Sequence, residues 1–373
     1  MTTATKRLRV GIIGASPKGG WGTDSHARAI QNIGTTELLA VCTAHEDTAR
    51  ASAQKLGVEL AYHDHKEMLA NRDIDAVAIV VRVPQHYQIT LDAINTGKHV
   101  YTEWPLVLSS KEAQTLVDAA KKAGVHTRAG FQRRNHPAHM RLKELVAEGF
   151  VGKVLAVNFN MHGSGVLTNT SDRSWRGDRT LGTNTMTVGF GHEIDAVLSA
   201  VGEVTEVSGI VSTQVKQWYE TDTKRYIDVT AADNIIMNGR LANGGVLNAH
   251  LGSQPYHGGP YRLEVYGTEG TLLMTPIGAA AGSYANGWAS TYQIMGGKKD
   301  DKGLVEQPIP DRLRWAPSTL QGGAYLVGQM WAQFAESIRT GKDIEPTFET
   351  ALRRHKLLEA LQRASDTGQA QKL

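Results

Sequence analysis

A histidine in the second half of the chain has the side chain best suited to proton transfer. His192 lies in the segment 189–195, which reads Gly-Phe-Gly-His-Glu-Ile-Asp and has a helix-like pattern. An imidazole titrates near neutral pH, so it can take a proton from a hydroxyl group or return one. The chain has 14 histidines, and any one of them more often caps or packs against a helix than acts in catalysis. The residue type therefore leaves a catalytic and a structural role open for His192.

Arginines in two parts of the chain are suited to binding an anion. Arg133 and Arg134 follow a predicted strand, and we expect them at a cleft between two domains. With Arg176 and Arg179 they could hold a carboxylate, sulfonate or phosphate group through paired hydrogen bonds. The alternatives are solvation at the surface and salt bridges between the domains. Three tryptophans could stack on a sugar face or pack in the core: Trp175, Trp288 and Trp315.

A glycine-rich stretch near the start of the chain is suited to binding phosphate. The apolar run 8–13 predicts a buried strand, and the residues after it read Gly-Ala-Ser-Pro-Lys-Gly-Gly-Trp-Gly. Gly14 and Gly19 fit the outer positions of the motif G-x-G-x-x-G, whereas Ser16 occupies the middle one. Backbone N–H groups of such a turn bind a pyrophosphate at the start of the following helix. The residues predicted to contact a dinucleotide here are Gly14, Ser16, Lys18, Gly19 and Trp21.

The elements that must position these residues alternate through the first half of the chain. Apolar runs predict strands over 8–13, 37–43, 60–63, 75–81, 98–102 and 126–130, with helical patterns between them. Alternating strands and helices indicate βαβ units and a doubly wound parallel sheet. Right-handed crossovers bring the carboxyl ends of these strands to one edge, where ligands bind.

The end of the second predicted strand bears on the choice between NAD and NADP. An NAD site usually has an acidic residue there, which holds both ribose hydroxyls. This chain has Thr43 and His45 at that point and no acid before Glu46. His45 or Arg50 could instead face a 2′-phosphate. The predicted cofactor is therefore NAD or NADP, with NAD slightly favoured.

The second half of the chain predicts a different kind of sheet. Alternating apolar patterns over 153–161, 206–213, 232–241, 245–251, 261–267 and 270–274 are separated by glycine-rich turns. They indicate an open, mostly antiparallel sheet, and helices are predicted over 325–339 and 347–365. We expect helices on one face and a second subunit on the other, as in a dimer or tetramer. The predicted domains are 1–130 and 131–373.

The run 97–106, Gly-Lys-His-Val-Tyr-Thr-Glu-Trp-Pro-Leu, resembles a known signature. It is similar to the segment ending in Glu-Lys-Pro in the glucose–fructose oxidoreductase/inositol dehydrogenase/MocA (GFO/IDH/MocA) family. The resemblance covers most of the chain and includes His26, Pro84-Gln85-His86 and Asn135-His136-Pro137. It implies an α/β Rossmann domain that binds NAD(P), followed by an α+β domain for substrate binding and oligomerisation. It also implies hydride transfer at a secondary carbinol of a sugar or sugar-derived polyol.

The resemblance and the positions at strand ends together assign roles to further residues. The added cofactor contacts are Thr43, His45, His86, Glu103, Trp104 and Gln132. The substrate contacts are Arg133, Trp175, Arg176, His192 and Asp195, with His192 as the catalytic base. Two departures matter, because Trp104 and Val188 occupy the positions of the family's lysine and aspartate. Neither side chain can transfer a proton.

These departures, with Ser16 and the extension at 18–22, resemble the branch of the fungal galactose-regulon repressor and its bacterial relatives. Three functions are open. The first is an NAD(P)-dependent dehydrogenase of a sugar or polyol. The second is an NAD-dependent glycoside hydrolase that oxidises C3 transiently, eliminates the aglycone and adds water, on a sugar that could be anionic. Of the base and the acid that this reaction needs, His192 could serve as one and Tyr256, Tyr284 or Tyr325 as the other. The third is a non-catalytic dinucleotide-binding regulator.

Composition argues against several other classes of protein. The chain of 373 residues has 40 basic and 37 acidic residues, a balance that argues against nucleic-acid and membrane-surface partners. No run approaches the length of apolar sequence that spans a membrane, and no signal peptide is predicted. A single cysteine, Cys42, allows no internal disulfide, so we expect a cytoplasmic protein. We expect no metal site.

Overall fold

The computed structural model describes residues 7–277 and 291–373 of the chain. It contains two compact units, and each draws on two separate parts of the sequence. The first unit consists of the described residues up to Gln132 together with Arg314–Arg353. The second consists of the described residues of Arg133–Leu313 together with Arg354–Leu373.

The helices and strands are numbered in chain order. The strands up to residue 130 are β1 (Leu8–Ile13), β2 (Thr36–Cys42), β3 (Leu60–Tyr62), β4 (Ala76–Ile79), β5 (His99–Glu103) and β6 (Thr127–Gly130). The later strands are β7 (Val154–Ser164), β8 (Thr168–Asn169), β9 (Val204–Ser212), β10 (Gln217–Glu220), β11 (Arg225–Asp228), β12 (Asn234–Leu241), β13 (Val246–Gln254), β14 (Arg262–Gly267), β15 (Gly270–Pro276), β16 (Tyr292–Lys298), β17 (Val305–Glu306) and β18 (Gln371–Lys372). The α-helices are α1 (Arg28–Asn32), α2 (Glu46–Leu56), α3 (His65–Ala70), α4 (His86–Asn95), α5 (Ser110–Ala123), α6 (Pro137–Ala147), α7 (Gly191–Val201), α8 (Gly322–Thr340) and α9 (Phe348–Thr367). Two π-helical turns, Trp21–Ala27 and Thr185–Phe190, lead into α1 and α7.

Strands β1 to β6 form a parallel sheet with the order β3-β2-β1-β4-β5-β6, which confirms the predicted doubly wound sheet. Its central strands are apolar on both faces, because Val10, Ile12, Val77 and Ile79 are all fully buried. The chain adds strands on one side of β1 first and then on the other. The strand order therefore reverses between β1 and β4, and a ligand crevice is expected there, beyond the carboxyl ends of the strands.

Helix α8 belongs to the first unit although it follows the second sheet in sequence. Its side chains Met330, Trp331 and Phe334 share a buried core with Ile30 of α1 and Tyr101 of β5. Burial of this apolar face explains why the chain returns to the first unit. From the sequence we assign every residue after 130 to the second domain, so the return of Arg314–Arg353 differs from the expected boundaries.

The second unit contains a nine-stranded sheet with the order β17-β16-β15-β14-β7-β13-β12-β9-β18. Strands β7 and β13 are parallel, and β12 and β14 run antiparallel to them. This arrangement confirms the predicted open, mostly antiparallel sheet. One face is buried through residues such as Phe159, Ile235 and Leu247, whereas Ile210 and Val246 are exposed on the other.

A smaller sheet with the order β11-β10-β8 lies in the same unit and borders the candidate site described below. In residues 7–277 and 291–373, no helix combines the length and the apolar character needed to cross a membrane.

Candidate functional site

The glycine-rich turn after β1 has the backbone geometry that lets a diphosphate approach closely. Gly14 has a φ of 104°, and a Cβ atom there would lie 2.2 Å from the carbonyl oxygen of Val80. Gly20 has a φ of 113°, and no atom of the described residues lies within 4 Å of a Cβ placed on it. The turn therefore packs against the end of β4 at Gly14 and stays open at Gly20. With a helix beginning at Trp21, these residues fit a dinucleotide diphosphate.

Ser16, which occupies the place of a motif glycine, uses its polar atoms to order this turn. Its Oγ accepts a hydrogen bond from the Lys18 amide at 3.2 Å, and its carbonyl accepts one from Thr23 Oγ1 at 2.6 Å. Asp24 Oδ2 accepts from the Gly20 amide at 2.8 Å. The Lys18 side chain is exposed, and an ammonium group is suited to phosphate. The serine therefore keeps the turn ordered without closing it to a ligand.

Trp21 packs toward the apolar core of the first unit rather than standing free at the turn. A Cβ atom on Gly323 of α8 would lie 2.6 Å from its ring, so α8 can approach only because residue 323 is glycine. The half-buried ring extends the core formed by α1 and α8. The predicted contact between Trp21 and a cofactor stays a prediction.

The end of β2 carries hydroxyl groups that bond to each other. Thr43 Oγ1 lies 2.7 Å from Thr48 Oγ1 and donates to the His45 carbonyl at 3.1 Å. The side chain of His45 is exposed and does not cap α2. Glu46, the first acid after the strand, forms an ion pair with Arg50 one helical turn later. Residues 43–45 thus present no carboxylate at the position that excludes a 2′-phosphate.

A buried hydrogen-bond network surrounds Glu103 at the end of β5. His26 Nε2 lies 2.6 Å from Glu103 Oε1, and the indole N–H of Trp331 donates to His26 Nδ1 at 3.2 Å. Because Nδ1 accepts, Nε2 carries the proton and donates to Glu103. The amide nitrogen of Gln132 donates to both Glu103 oxygens, at 2.6 and 2.8 Å. The carboxylate is thus held by the π-helical turn before α1 and by the residues just after β6.

The sequence predicts only some of the residues in this network. It places Glu103 and Gln132 at the cofactor, and the structure brings them together. It gives no signal for Trp331, which lies 305 residues from His26. The Gln132 amide also donates to the Tyr101 hydroxyl at 3.3 Å, and burial raises the pKa of Tyr101.

The turn after β5 is apolar at the position where the resemblance predicts a lysine. Trp104 is 4% exposed, and its ring centroid lies 4.4 Å from that of Phe131. His86 is buried, with Nδ1 2.9 Å from the Pro105 carbonyl oxygen and Nε2 3.0 Å from that of Val81. Burial lowers the pKa of His86. Both side chains fasten this turn, and their predicted contacts with a cofactor stay predictions.

The helix that carries His192 starts at a reciprocal cap. Asn184 Oδ1 accepts from the Thr187 amide at 3.1 Å, and Thr187 Oγ1 accepts from the Asn184 amide at 3.1 Å. The π-helical turn Thr185–Phe190 then continues directly into α7. His192 is the second residue of α7 and is 4% exposed. The cap fixes where the helix begins and therefore where the imidazole lies in the second unit.

Glu193, next to His192, is buried against Arg133. Arg133 Nε donates to Glu193 Oε1 at 2.9 Å, and its Nη1 donates to the Tyr292 hydroxyl at 3.3 Å. Burial raises the pKa of Glu193, and the charge of Arg133 opposes that rise. The structure therefore gives Arg133 a positioning role on α7. Its predicted contact with a substrate stays a prediction.

Asp195, three residues after His192, is clamped by two arginines. Arg134 donates to its two oxygens at 2.6 and 2.7 Å, and Arg354 Nε donates to Oδ1 at 2.9 Å. Arg354 also donates to both oxygens of Glu203 at 2.6 Å. The sequence leaves Arg134 open for a substrate anion, whereas the structure pairs it with Asp195. This buried network ties α7 to α9, and a substrate contact for Asp195 stays a prediction.

A cavity of about 260 Å³ inside the second unit borders the turn that leads to His192. Val188, four residues before His192, forms part of its wall. The other side chains around it are a mixture of polar, aromatic and small apolar groups. They are Ser164, Val166, Thr168, Asn169, Arg176, Thr183, Asn184, Thr185, Trp218, Val229, Ala231, Ala232, Asp233 and Ser253.

Of the predicted substrate residues, Arg176 lines this cavity. Its guanidinium carbon lies 5.6 Å from the ring centre of Trp175, whose Nε1 donates to the Asp172 carbonyl at 3.0 Å. Sequence reasoning missed Trp218, which lies on β10 and packs over Gly177, directly after Arg176. A Cβ atom on Gly177 would lie 3.3 Å from the Trp218 ring. The sequence feature that could have indicated Trp218 is a tryptophan within a short, otherwise polar hairpin.

The remaining candidate aromatics differ in exposure. Tyr256 is 71% exposed in the second unit, and Tyr325 is half-buried on α8 in the first. Trp315 is 43% exposed, which makes it the least buried of the described tryptophans named above. Tyr284 and Trp288 lie outside the described residues. In the part of the chain that the structure describes, no group of three or more His, Cys, Asp or Glu is arranged to hold a metal ion.

Comparisons with known proteins match both halves of the sequence. The oxidoreductase family model with an NAD-binding Rossmann fold matches residues 8–131, and the GFO/IDH/MocA C-terminal domain model matches residues 139–273. Dehydrogenase aclE of Aspergillus oryzae is 31% identical over 54% of this chain and 57% of its own length. The galactose/lactose metabolism regulatory protein GAL80 of Kluyveromyces lactis is 26% identical over 65% of this chain and 57% of its own length. The matched region thus spans less than two thirds of each of these relatives.

A solved structure of levoglucosan dehydrogenase in complex with NADH has a similar fold. Its TM-score is 0.84, and the alignment covers 98% of this chain and 99% of that one. The two sequences are 20% identical, so this likeness concerns the fold alone.

Proposed function

Because this chain belongs to the GFO/IDH/MocA family of NAD-binding oxidoreductases, we propose that it oxidises a sugar or a sugar-derived polyol with NAD(P). The observation that carries this proposal is the position of His192. It is buried at the start of a capped helix, one helical turn after a residue that lines a polar and aromatic cavity. A proton-transfer group thus lies near a site suited to a small ligand rich in hydroxyl groups.

In the proposed reaction, each of these residues has a separate role. A nicotinamide cofactor, when bound, exchanges a hydride with a carbinol carbon. His192 takes the hydroxyl proton of that carbinol during oxidation and returns it in the reverse direction. The turn with Ser16 and Lys18 binds the diphosphate, while Glu103 and Gln132 order the ends of β5 and β6. Proton transfer depends on His192 because Trp104 and Val188 contain no titratable group.

For the cofactor we propose NAD as the preferred form, with NADP also accepted. Support for NAD comes from the family model, which is described as NAD-binding. Support for NADP comes from the end of β2, where the Thr43–Thr48 hydroxyl pair stands in place of an acid and His45 is exposed. A 2′-phosphate would meet no carboxylate from residues 43–45.

A second candidate is an NAD-dependent glycoside hydrolase. The buried Trp104 favours it, because this residue replaces the lysine that supports net alcohol oxidation in the family. In such an enzyme NAD takes a hydride from C3 of the sugar, the C2 proton is removed, the aglycone is eliminated, water adds, and the same hydride returns to C3. His192 would remove the C2 proton, and Tyr256 in the same unit would protonate the leaving group.

A third candidate is a non-catalytic regulator that binds a dinucleotide. The match to GAL80 favours it, as do the two positions without a titratable group, Trp104 and Val188. Against it stands the presence of His192, four residues after Val188 in the cavity wall.

One assay separates the three candidates. The purified protein is incubated with NAD or NADP and a panel of sugars, polyols and aryl glycosides, while reduced nicotinamide and released aglycone are followed by absorbance. Net reduced cofactor supports the dehydrogenase, and aglycone release without it supports the hydrolase. Cofactor binding without either product supports the regulator. Failure of NADH and NADPH to bind in a fluorescence titration would overturn all three.

We also propose a homo-oligomer and a cytoplasmic location. Ile210, Ile236 and Val246 lie on the open face of the nine-stranded sheet, and Ile210 and Val246 are exposed there. Such a face can be covered by the same face of a second subunit. Cys42 is a buried free thiol, and a chain with one cysteine suits a reducing compartment.

A further inference from the structure

The cavity in the second unit has an aromatic wall with an unsatisfied donor. Trp218 lines the cavity, and its indole Nε1 is buried without a hydrogen-bond partner among the described residues. A buried N–H group without an acceptor is costly, so an oxygen atom of a bound ligand would relieve it. The indole ring offers an apolar surface of the kind that stacks on the C–H face of a sugar.

The same cavity is lined by groups that recognise hydroxyls. Asn169 and Asn184 provide amide donors and acceptors. Asp233 is also in the wall, and its carboxylate is held by backbone donors. The amides of residues 214 and 215 donate to it at 2.7 to 3.0 Å. These hydrogen bonds tie both Asp233 oxygens to the backbone of residues 214 and 215.

The loop that supplies Arg176 has a net positive charge. Between residues 172 and 179 it contains three arginines and two aspartates, a net charge of +1. Arg176 is the arginine that lines the cavity. The aspartates, Asp172 and Asp178, each accept a hydrogen bond from a threonine hydroxyl two residues away, at 2.5 and 2.7 Å. The loop thus supplies one cationic side chain, Arg176, to the cavity wall. Its two aspartates accept hydrogen bonds from nearby threonines.

The hairpin β10–β11 holds this loop in place before any ligand arrives. Asp222 accepts from the Ser171 amide at 2.9 Å and from Ser171 Oγ at 2.5 Å. Glu220 is buried and accepts from Arg225 Nε at 2.7 Å. A preformed wall lowers the entropic cost of binding.

We propose that this cavity binds the carboxylate-bearing end of an anionic sugar, so that the substrate of the proposed oxidoreductase is a sugar acid. The inference rests on the proposed function and names its substrate class. Arg176 pairs with the carboxylate, and the Trp218 N–H donates to a neighbouring sugar oxygen. Val188 in the cavity wall precedes His192 by four residues, along the π-helical turn that continues into α7. The reacting carbinol therefore lies on the Val188 side of the bound sugar.

The charge of the site favours a carboxylate over a phosphate ester. The described wall contains one arginine and one carboxylate, Asp233, whose oxygens are taken up by backbone amides, so Arg176 is the group that a single negative charge on a ligand would meet. A phosphate dianion is held in proteins by several cations, whereas Arg176 is the one cationic side chain in the described wall, and the helix start at Thr185 is already capped by Asn184.

Calorimetric titration of the full chain saturated with NADH tests the proposal without turnover. The probes are two matched pairs, D-galacturonate with D-galactose and D-glucuronate with D-glucose. We expect at least one acid to bind about tenfold or more tighter than its neutral partner, as a charge-assisted hydrogen bond provides. Equal affinities in both pairs, or no binding of any of the four sugars, would overturn the proposal.

Three variants assign the effect to the cavity. Arg176→Gln should reduce the preference for the acid to less than about twofold, whereas Arg176→Lys should keep part of it because the charge remains. Arg173→Gln removes the same charge from the same loop outside the cavity wall and should leave the preference intact. A preference that survives in Arg176→Gln would overturn the proposal. Thermal unfolding of each variant confirms that the exposed arginines are replaced without loss of fold.

The outcomes separate this inference from the proposed function. A sugar acid that binds through Arg176 but yields no reduced cofactor would support the cavity assignment and contradict the oxidoreductase. Oxidation of neutral sugars by a protein with no affinity for the acids would support the oxidoreductase and contradict the cavity assignment.

Discussion

At the scale of single residues, proton transfer in the second unit depends on His192. We predict that His192→Ala lowers turnover by about a hundredfold or more, since general base catalysis contributes 10²–10⁴-fold. Binding of NADH should be unchanged, because the glycine turn is in the first unit. Steady-state rates on the best substrate of the panel, with a fluorescence titration of NADH, check both expectations. The control is His192→Asn, which keeps a polar group of similar size, and turnover within tenfold of wild type in either variant would exclude His192 as the base.

Cofactor choice is also a matter of one or two side chains. At the end of β2, Thr43 Oγ1 pairs with Thr48 instead of presenting a carboxylate. We predict that Thr43→Asp lowers the affinity for NADPH by tenfold or more, because the new charge repels a 2′-phosphate, while NADH binds as before. Thr43→Asn is the matched uncharged control. Fluorescence titrations with both reduced cofactors measure the effect, and an unchanged affinity of Thr43→Asp for NADPH would show that the ribose lies elsewhere.

Gln132 donates hydrogen bonds to Glu103, and this interaction can be tested by swapping the two residue types. In Glu103→Gln an amide would face the amide nitrogen of Gln132, which now donates to both carboxylate oxygens. We predict a loss of about 1–3 kcal/mol in the free energy of unfolding, because a buried donor is left unsatisfied. Urea denaturation measures the loss. The double variant Glu103→Gln, Gln132→Glu should recover part of it, and a single variant as stable as wild type would contradict the role given to this network.

At the scale of elements, the hairpin β10–β11 positions the loop of Arg176 through Glu220. Hydrogen bonds from Arg225, Thr223 and Ser174 lower the pKa of Glu220 from 4.5 to about 2. A carboxyl group whose pKa is lower in the folded state stabilises the fold above its unfolded pKa, and the contribution is lost as the pH falls through the folded pKa. We therefore predict that the hairpin keeps its full stabilisation above about pH 4.5 and loses it progressively toward pH 2.

The comparison of wild type with Glu220→Gln isolates this effect from other carboxyl groups. The difference in melting temperature between the two proteins should be constant above about pH 5 and shrink as the pH falls below 4. Melting curves by circular dichroism at a series of pH values provide the measurement. A difference that does not change with pH would mean that the charge of Glu220 contributes nothing to the hairpin.

At the scale of the whole molecule, local patterns were sufficient to predict the sheets but not the contacts between distant segments. The strands β1 to β6 follow from apolar runs and glycine turns, which are properties of a few adjacent residues. The contact of Trp331 with His26 and the clamp of Arg354 on Asp195 join residues 305 and 159 apart. No local period encodes such pairs, because they depend on which helix returns to which sheet. Trp218 was missed for the same reason, since its role appears only when β10 lies beside Gly177.

The open face of the nine-stranded sheet is where assembly of the whole molecule can be tested. Ile210 is 57% exposed there and stands opposite Ile236 in the register of β9 and β12, so two apolar side chains form a contiguous surface. An antiparallel sheet tolerates a solvated face when that face is polar. Burying these isoleucines against a second copy removes apolar area from water.

We predict that Ile210→Lys converts a dimer or tetramer into a smaller species, because a twofold contact would bring two lysines together. Light scattering coupled to gel filtration measures the mass, with Leu108→Lys as a control at an exposed apolar residue of the first unit. A wild-type monomer at micromolar concentration, or a variant of unchanged mass, would mean that this face does not form the subunit contact.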